Sequence, residues 1–87
     1  MIATTNSDVR IVTVANPNGL HLRSSASVAE TASGYNARAI VCRGAQRADA
    51  RSVVELLLLA AQQGAELNLE ATGPDAEKLL DALAELF

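Results

Sequence analysis

Apolar residues recur with two different periods along the chain, and the switches between them mark the elements. Residues 9–14 are mostly β-branched and read as a strand that stops at the turn-forming Asn16-Pro17-Asn18-Gly19. From about 22 to 33, Ala26, Val28, Ala29 and Ala32 fall near helical spacing, with Ser24 and Ser25 as start signals and Gly34 as a stop. Residues 36–43 alternate enough for a second strand, and a turn near Gly44 leads into a short partner at about 46–50. Ser52 is then a good N-cap for a helix in which Val53, Leu56, Leu57 and Ala60 share a face. Glu55 completes a capping-box pattern, and Gly64 occupies the place of a left-handed C-terminal stop.

The cleanest alternation follows at 65–72: Leu67, Leu69 and Ala71 point inward, Glu66, Asn68 and Glu70 outward. A sheet with one wet face is implied. Ala39 and Val41 belong on its inner side, leaving Ile40 and Cys42 as an outer apolar spot open to self-association. After Gly73, Pro74 suits a first helical turn, and Asp75 and Glu77 favour its positive end. Ala76, Leu79, Leu80, Leu83 and Leu86 form one stripe. The order is β-α-β-β-α-β-α, an α+β arrangement in which helices cover one face of a four-stranded antiparallel sheet. Residues 1–8 are expected to form a loose tail and residues 9–87 one domain, monomeric in solution.

Composition narrows the function classes. A net charge of −3 with seven scattered Lys and Arg disfavours a nucleic-acid binder, and one Tyr and one Phe provide no stacking platform. One Cys rules out an internal disulfide, and with one His it rules out a multi-ligand zinc site. The longest apolar run, 53–61, is far short of the roughly 20 residues a membrane span needs. The expectation is a cytoplasmic protein without metal or cofactor.

The lone histidine, His21, lies between a glycine turn and an amphipathic helix. On its own, a single His is more often surface decoration or a helix cap than a reacting group. Here Gly19 permits close backbone approach, the helix start offers unpaired N–H groups, and Arg23 adds a planar cation suited to phosphate or carboxylate. Nucleophile and anion cradle coincide. No Ser, Cys or Asp stands as an obvious triad partner, so hydrolysis fits badly. Phosphoryl transfer, in which an imidazole carries the group covalently, fits better.

The segment Asn18-Gly19-Leu20-His21-Leu22-Arg23 resembles the active-site motif of HPr, the histidine-containing phosphocarrier family of the phosphoenolpyruvate-dependent sugar phosphotransferase system, and the likeness runs from about residue 9 to 86. It implies an open-faced β-sandwich with sheet order 1-4-2-3 and three helices on one side. It also implies a relay, not a complete enzyme: Enzyme I phosphorylates Nδ1 of His21, and a IIA domain takes the group onward. Arg23 would help hold the phosphoryl group, with Gly19, Ser24 and Ser25 completing the cradle at the helix start.

Leu20, Ala26, Val53, Val54 and Leu57 would dock partners. Ser52 reads from the residues alone as a cap, yet it aligns with the serine that an HPr kinase/phosphorylase modifies in many bacteria. Two departures stand out: Ser24 where the family has proline, and Glu30, Ser33 and Glu55 where members often carry lysines. They leave room for a regulatory binding module of the same fold, controlled at Ser52 and uncoupled from sugar transport.

Overall fold

The computed structural model describes residues 7–87. Four strands, β1 (Ser7–Thr13), β2 (Arg38–Arg43), β3 (Gln46–Asp49) and β4 (Glu66–Thr72), form one antiparallel sheet in the order β1-β4-β2-β3. Helices α1 (Leu22–Ser33), α2 (Val53–Leu58) and α3 (Ala76–Ala84) connect and cover them. This is the predicted architecture. β1 begins earlier than expected, because Ser7 and Asp8 pair with Thr72 and Ala71; the rest of the expected tail, 1–6, lies outside the described residues.

Register follows from the alternation of β4. Leu67 and Leu69 face Val12 and Arg10 on β1, while Leu69 and Ala71 face Val41 and Ala39 on β2. Directly opposed residues share a face of an antiparallel pair, so this row forms the inner layer. Leu67, Leu69 and Val41 are fully buried there against Val28, Leu56, Leu59, Leu79, Leu80 and Leu83 from the helical layer. Truncating any of these leucines to alanine removes about 2–5 kcal/mol in comparable cores. α3 packs across β1 and β4, and α1 contacts both α2 and α3.

The outer face differs from expectation at Cys42. The thiol is buried, with the Glu70 carboxylate and the Arg47 guanidinium each 3.6 Å from Sγ. Burial, then the charge of Glu70, pushes the thiol pKa up. Cys42 is therefore covered, not part of an open apolar spot; Ile40 is half-buried, and the exposed apolar residues of this face are Val9 and Ile11 on β1.

α2 is shorter than its pattern suggests. It ends at Leu58, with Leu59 as its C-cap, and the chain turns at Ala60, whose φ is +51°. The Arg43 guanidinium reaches over from β2 to donate to the Leu59 carbonyl at 2.9 Å, satisfying an end-of-helix acceptor. Gly64 is left-handed but lies beyond the helix, where its N–H donates to the Val14 carbonyl. Of the predicted α3 stripe, Leu86 falls past the helix end; Asp75 takes the N-cap position without a side-chain cap bond, its carboxylate accepting from the Asn36 N–H instead.

Candidate functional site

The turn that delivers His21 is built from its backbone. Asn16 Oδ1 accepts from the Asn18 N–H at 3.0 Å, and the Asn16 carbonyl accepts from the Gly19 N–H at 2.9 Å. Gly19 then takes a φ of +66°, a region open to glycine at little cost. The close approach it permits is to the chain itself: a Cβ here would lie 2.5 Å from the Ala61 carbonyl oxygen. Gly19 thus seats the turn against the link between α2 and β4, with its own N–H already bonded to Asn16. Leu20 is anchored beside it, its N–H donating to the same Ala61 oxygen at 2.8 Å.

His21 is itself the N-cap of α1. Its backbone is extended, and Nδ1 accepts from the Arg23 N–H at 3.2 Å. A ring nitrogen that accepts an N–H bond has its lone pair in the ring plane and no proton, which leaves the proton of the neutral imidazole on Nε2. The start signals expected from Ser24 and Ser25 take other forms. Ser24 is the third helical residue, and its hydroxyl accepts from the His21 N–H at 2.9 Å, the reciprocal half of a capping box. Ser25 is fully buried, its N–H donates to the His21 carbonyl within the helix, and its hydroxyl has no partner; it does not reach the cleft.

An open cleft of about 250 Å³ lies over this helix start, lined by Asn16, His21, Arg23, Ser24, Ser27 and Leu86. Asn16, Ser27 and Leu86 were not apparent from the pattern, although Ser27 lies one turn beyond Arg23 and donates to its carbonyl. No acidic residue occupies the first turn of α1. Arg10, Arg43, Arg47 and Arg51 are engaged with Asp81, the Leu59 carbonyl, Glu70 and the Ala37 carbonyl. Among the described residues, the side chains of Arg23, Arg38 and Lys78 make no such contact, and of these three Arg23 is the one that lines the cleft. The cleft combines an unprotonated imidazole nitrogen, helix-start N–H groups and an uncommitted cation.

The family described as PTS HPr component phosphorylation site matches residues 9–87. The chain belongs to this HPr family. It is 48% identical over 71 residues to the multiphosphoryl transfer protein of Xanthomonas campestris, covering 82% of this chain but only 8% of that protein. Against the phosphoryl donor subunit DhaM of Providencia stuartii it spans 15% of the relative's length at 38% identity. It is 35% identical to the phosphocarrier protein HPr of Cupriavidus necator, with 90% and 88% of the two chains covered. Among solved structures, HPr of Bacillus anthracis superposes with a TM-score of 0.88 at 28% identity, over 92% of this chain and 95% of that one.

Around the HPr cleft the expected docking residues divide. Ala26, Val54 and Leu57 are exposed and Val53 is half-buried, but Leu20 is buried under the turn and presents no docking surface. Leu22 and Leu58, both roughly two-thirds exposed at 66% and 69%, were missed. Leu22 is the first residue of α1, and its neighbour His21 lines the cleft. Four successive leucines on α2 and its cap split into buried Leu56 and Leu59 and exposed Leu57 and Leu58, as helical geometry requires. Ser52 caps α2 as expected, accepting from the Glu55 N–H at 3.2 Å, but the box stays open: the Glu55 carboxylate accepts from the Asp49 N–H instead.

Proposed function

We propose that this chain is a phosphocarrier of the phosphotransferase system that accepts a phosphoryl group from Enzyme I on Nδ1 of His21 and passes it to a IIA domain. The observation that carries this reading is the bond between Nδ1 and the Arg23 N–H. It keeps the lone pair of Nδ1 unprotonated and places it at the positive end of α1. In the transfer, that lone pair forms a bond to phosphorus as the donor's bond to the same phosphorus breaks and its electron pair leaves with the donor. The Arg23 N–H then passes from the ring nitrogen to a phosphoryl oxygen.

The charge on the phosphoryl oxygens is met by the Arg23 guanidinium and the helix-start N–H groups, a positioning role that suits phosphoryl transfer. Asn16 lines the same cleft with its amide oxygen already held by Asn18, so its NH2 remains to donate. The exposed Leu22, Val54, Leu57 and Leu58 are the apolar surface on which donor and acceptor would alternate. The carrier would work in the cytoplasm, and among the described residues no helix is long and apolar enough to cross a membrane.

Incubation with phosphoenolpyruvate and Enzyme I tests the assignment. The wild type should gain one acid-labile phosphate and His21→Ala none, while both keep the same circular dichroism. Label retained in His21→Ala, or absent from the wild type, would refute it.

A further inference from the structure

The reciprocal bond from Ser24 sets the orientation of His21. The hydroxyl of Ser24 accepts from the His21 N–H at 2.9 Å and lies within donor range of the His21 carbonyl at 3.2 Å and the Gly19 carbonyl at 3.4 Å. One side chain therefore holds the N–H of His21 and offers its single proton to the His21 carbonyl or to that of the preceding turn. Without this grip, the His21 backbone is held only by what flanks it: the Leu20 N–H bond to Ala61 before it and the first helical bond, from the Ser25 N–H to the His21 carbonyl, after it. The φ of His21, which aims Cβ and the ring, is the torsion next to the N–H that Ser24 holds.

We infer that Ser24 is a positioning residue for the phosphoryl acceptor: its hydroxyl fixes the His21 backbone so that Nδ1, and not Nε2, meets the Arg23 N–H. The inference rests on the proposed role of His21 in transfer but makes a claim of its own about the resting ring. Proline at this position would fix its own φ but could accept no bond from His21. A serine achieves the fixing by hydrogen bonding, which is directional but reversible. Its hydroxyl lines the cleft and can rotate its proton toward whatever acceptor is nearest.

The ring is directly observable, because the chain has one histidine and its nitrogen-15 spectrum therefore contains one imidazole. In the wild type, at a pH where the ring is neutral, the spectrum should show Nδ1 as the unprotonated nitrogen and Nε2 as the protonated one. Ser24→Ala should shift the two nitrogens toward the averaged values of exchanging tautomers, and Ser24→Thr should restore the wild-type pattern. Phosphorylation by Enzyme I should slow about fivefold in Ser24→Ala, the effect of one net hydrogen bond, with kcat falling and KM for the carrier unchanged.

An unaltered imidazole spectrum in a folded Ser24→Ala protein would overturn the inference, as would a loss expressed in KM alone. If Ser24→Ala fails to fold, the threonine variant still decides: it keeps the hydroxyl, so an averaged spectrum there refutes the grip. Should the wild type accept no phosphoryl group at all, the proposed function fails, while the tautomer comparison continues to test the role of Ser24.

Discussion

Two helices of this protein begin with the same device and differ in what surrounds it. At α1 the cap is His21, at α2 it is Ser52, and each side chain accepts a backbone N–H at 3.2 Å. The third helical residue completes the comparison. Ser24 answers the cap by taking its N–H, whereas Glu55 turns away to Asp49. The start of α2 therefore already holds a carboxylate against its positive end, and the start of α1 holds none. A helix start attracts an anion only when nothing of the protein's own has neutralised it. Two equivalent-looking caps therefore serve different ends: α1 is left electrostatically open beside a nucleophile, and α2 is closed.

Substitutions at the two starts should preserve or erase that contrast. The largest effect is expected from Gly19→Ala, since a methyl group at a φ of +66° and 2.5 Å from the Ala61 oxygen forces the turn off its seat. A loss of at least about 2 kcal/mol in urea unfolding should follow, and a loss below half of that would mean the turn is looser than drawn. Arg23→Ala should keep stability within error but reduce the phosphorylation rate by about tenfold or more, as removal of one charge-assisted bond does. An equal loss from Arg51→Ala, which lies near α2, would dissolve the distinction between the two starts.

Ser52→Ala should cost about 1 kcal/mol of stability with no change in phosphoryl acceptance, measured by denaturation and transfer assays on the same sample. A drop in transfer beyond that loss of stability would show that the start of α2, and not only its exposed apolar side chains, belongs to the acceptor site. Glu55→Gln should be the mildest, a few tenths of a kcal/mol from the lost charge at the helix start, because the amide oxygen can still accept from Asp49. Thermal unfolding at low and high salt checks it: the difference from wild type should shrink as salt rises.

Much of this is legible in the sequence. The inner row of β4 and its partners on β2 follow from a period of two that the covalent chain enforces, so Leu67, Leu69, Ala39 and Val41 all lie where the alternation puts them. His21 and Arg23 were legible as a pair because they lie two residues apart in sequence and are chemically distinctive. What failed did so through contacts between distant segments. The seat of Gly19 on Ala61, the arginine from β2 that closes α2 after Leu58, and the salt-bridge cover over Cys42 each join residues that no local pattern relates. The cap at His21 was open to the sequence only as the ordinary fate of a lone histidine: imidazole is not among the usual capping side chains, and Ser24 and Ser25 offered a more ordinary start signal.

The link between α2 and β4 looks like an ordinary surface loop, of the sort in which insertions and tags are normally placed. Its backbone holds the turn at Gly19 and Leu20 through Ala61; Gly64 donates to the Val14 carbonyl, and the Gln63 side chain donates to the Ala15 carbonyl. Both ends of the segment that delivers His21 are therefore moored to it. An insertion there would travel straight to the imidazole, which makes this loop a poor place for a fusion or a label and the Gly44 turn, around which a side chain would meet open space, a good one.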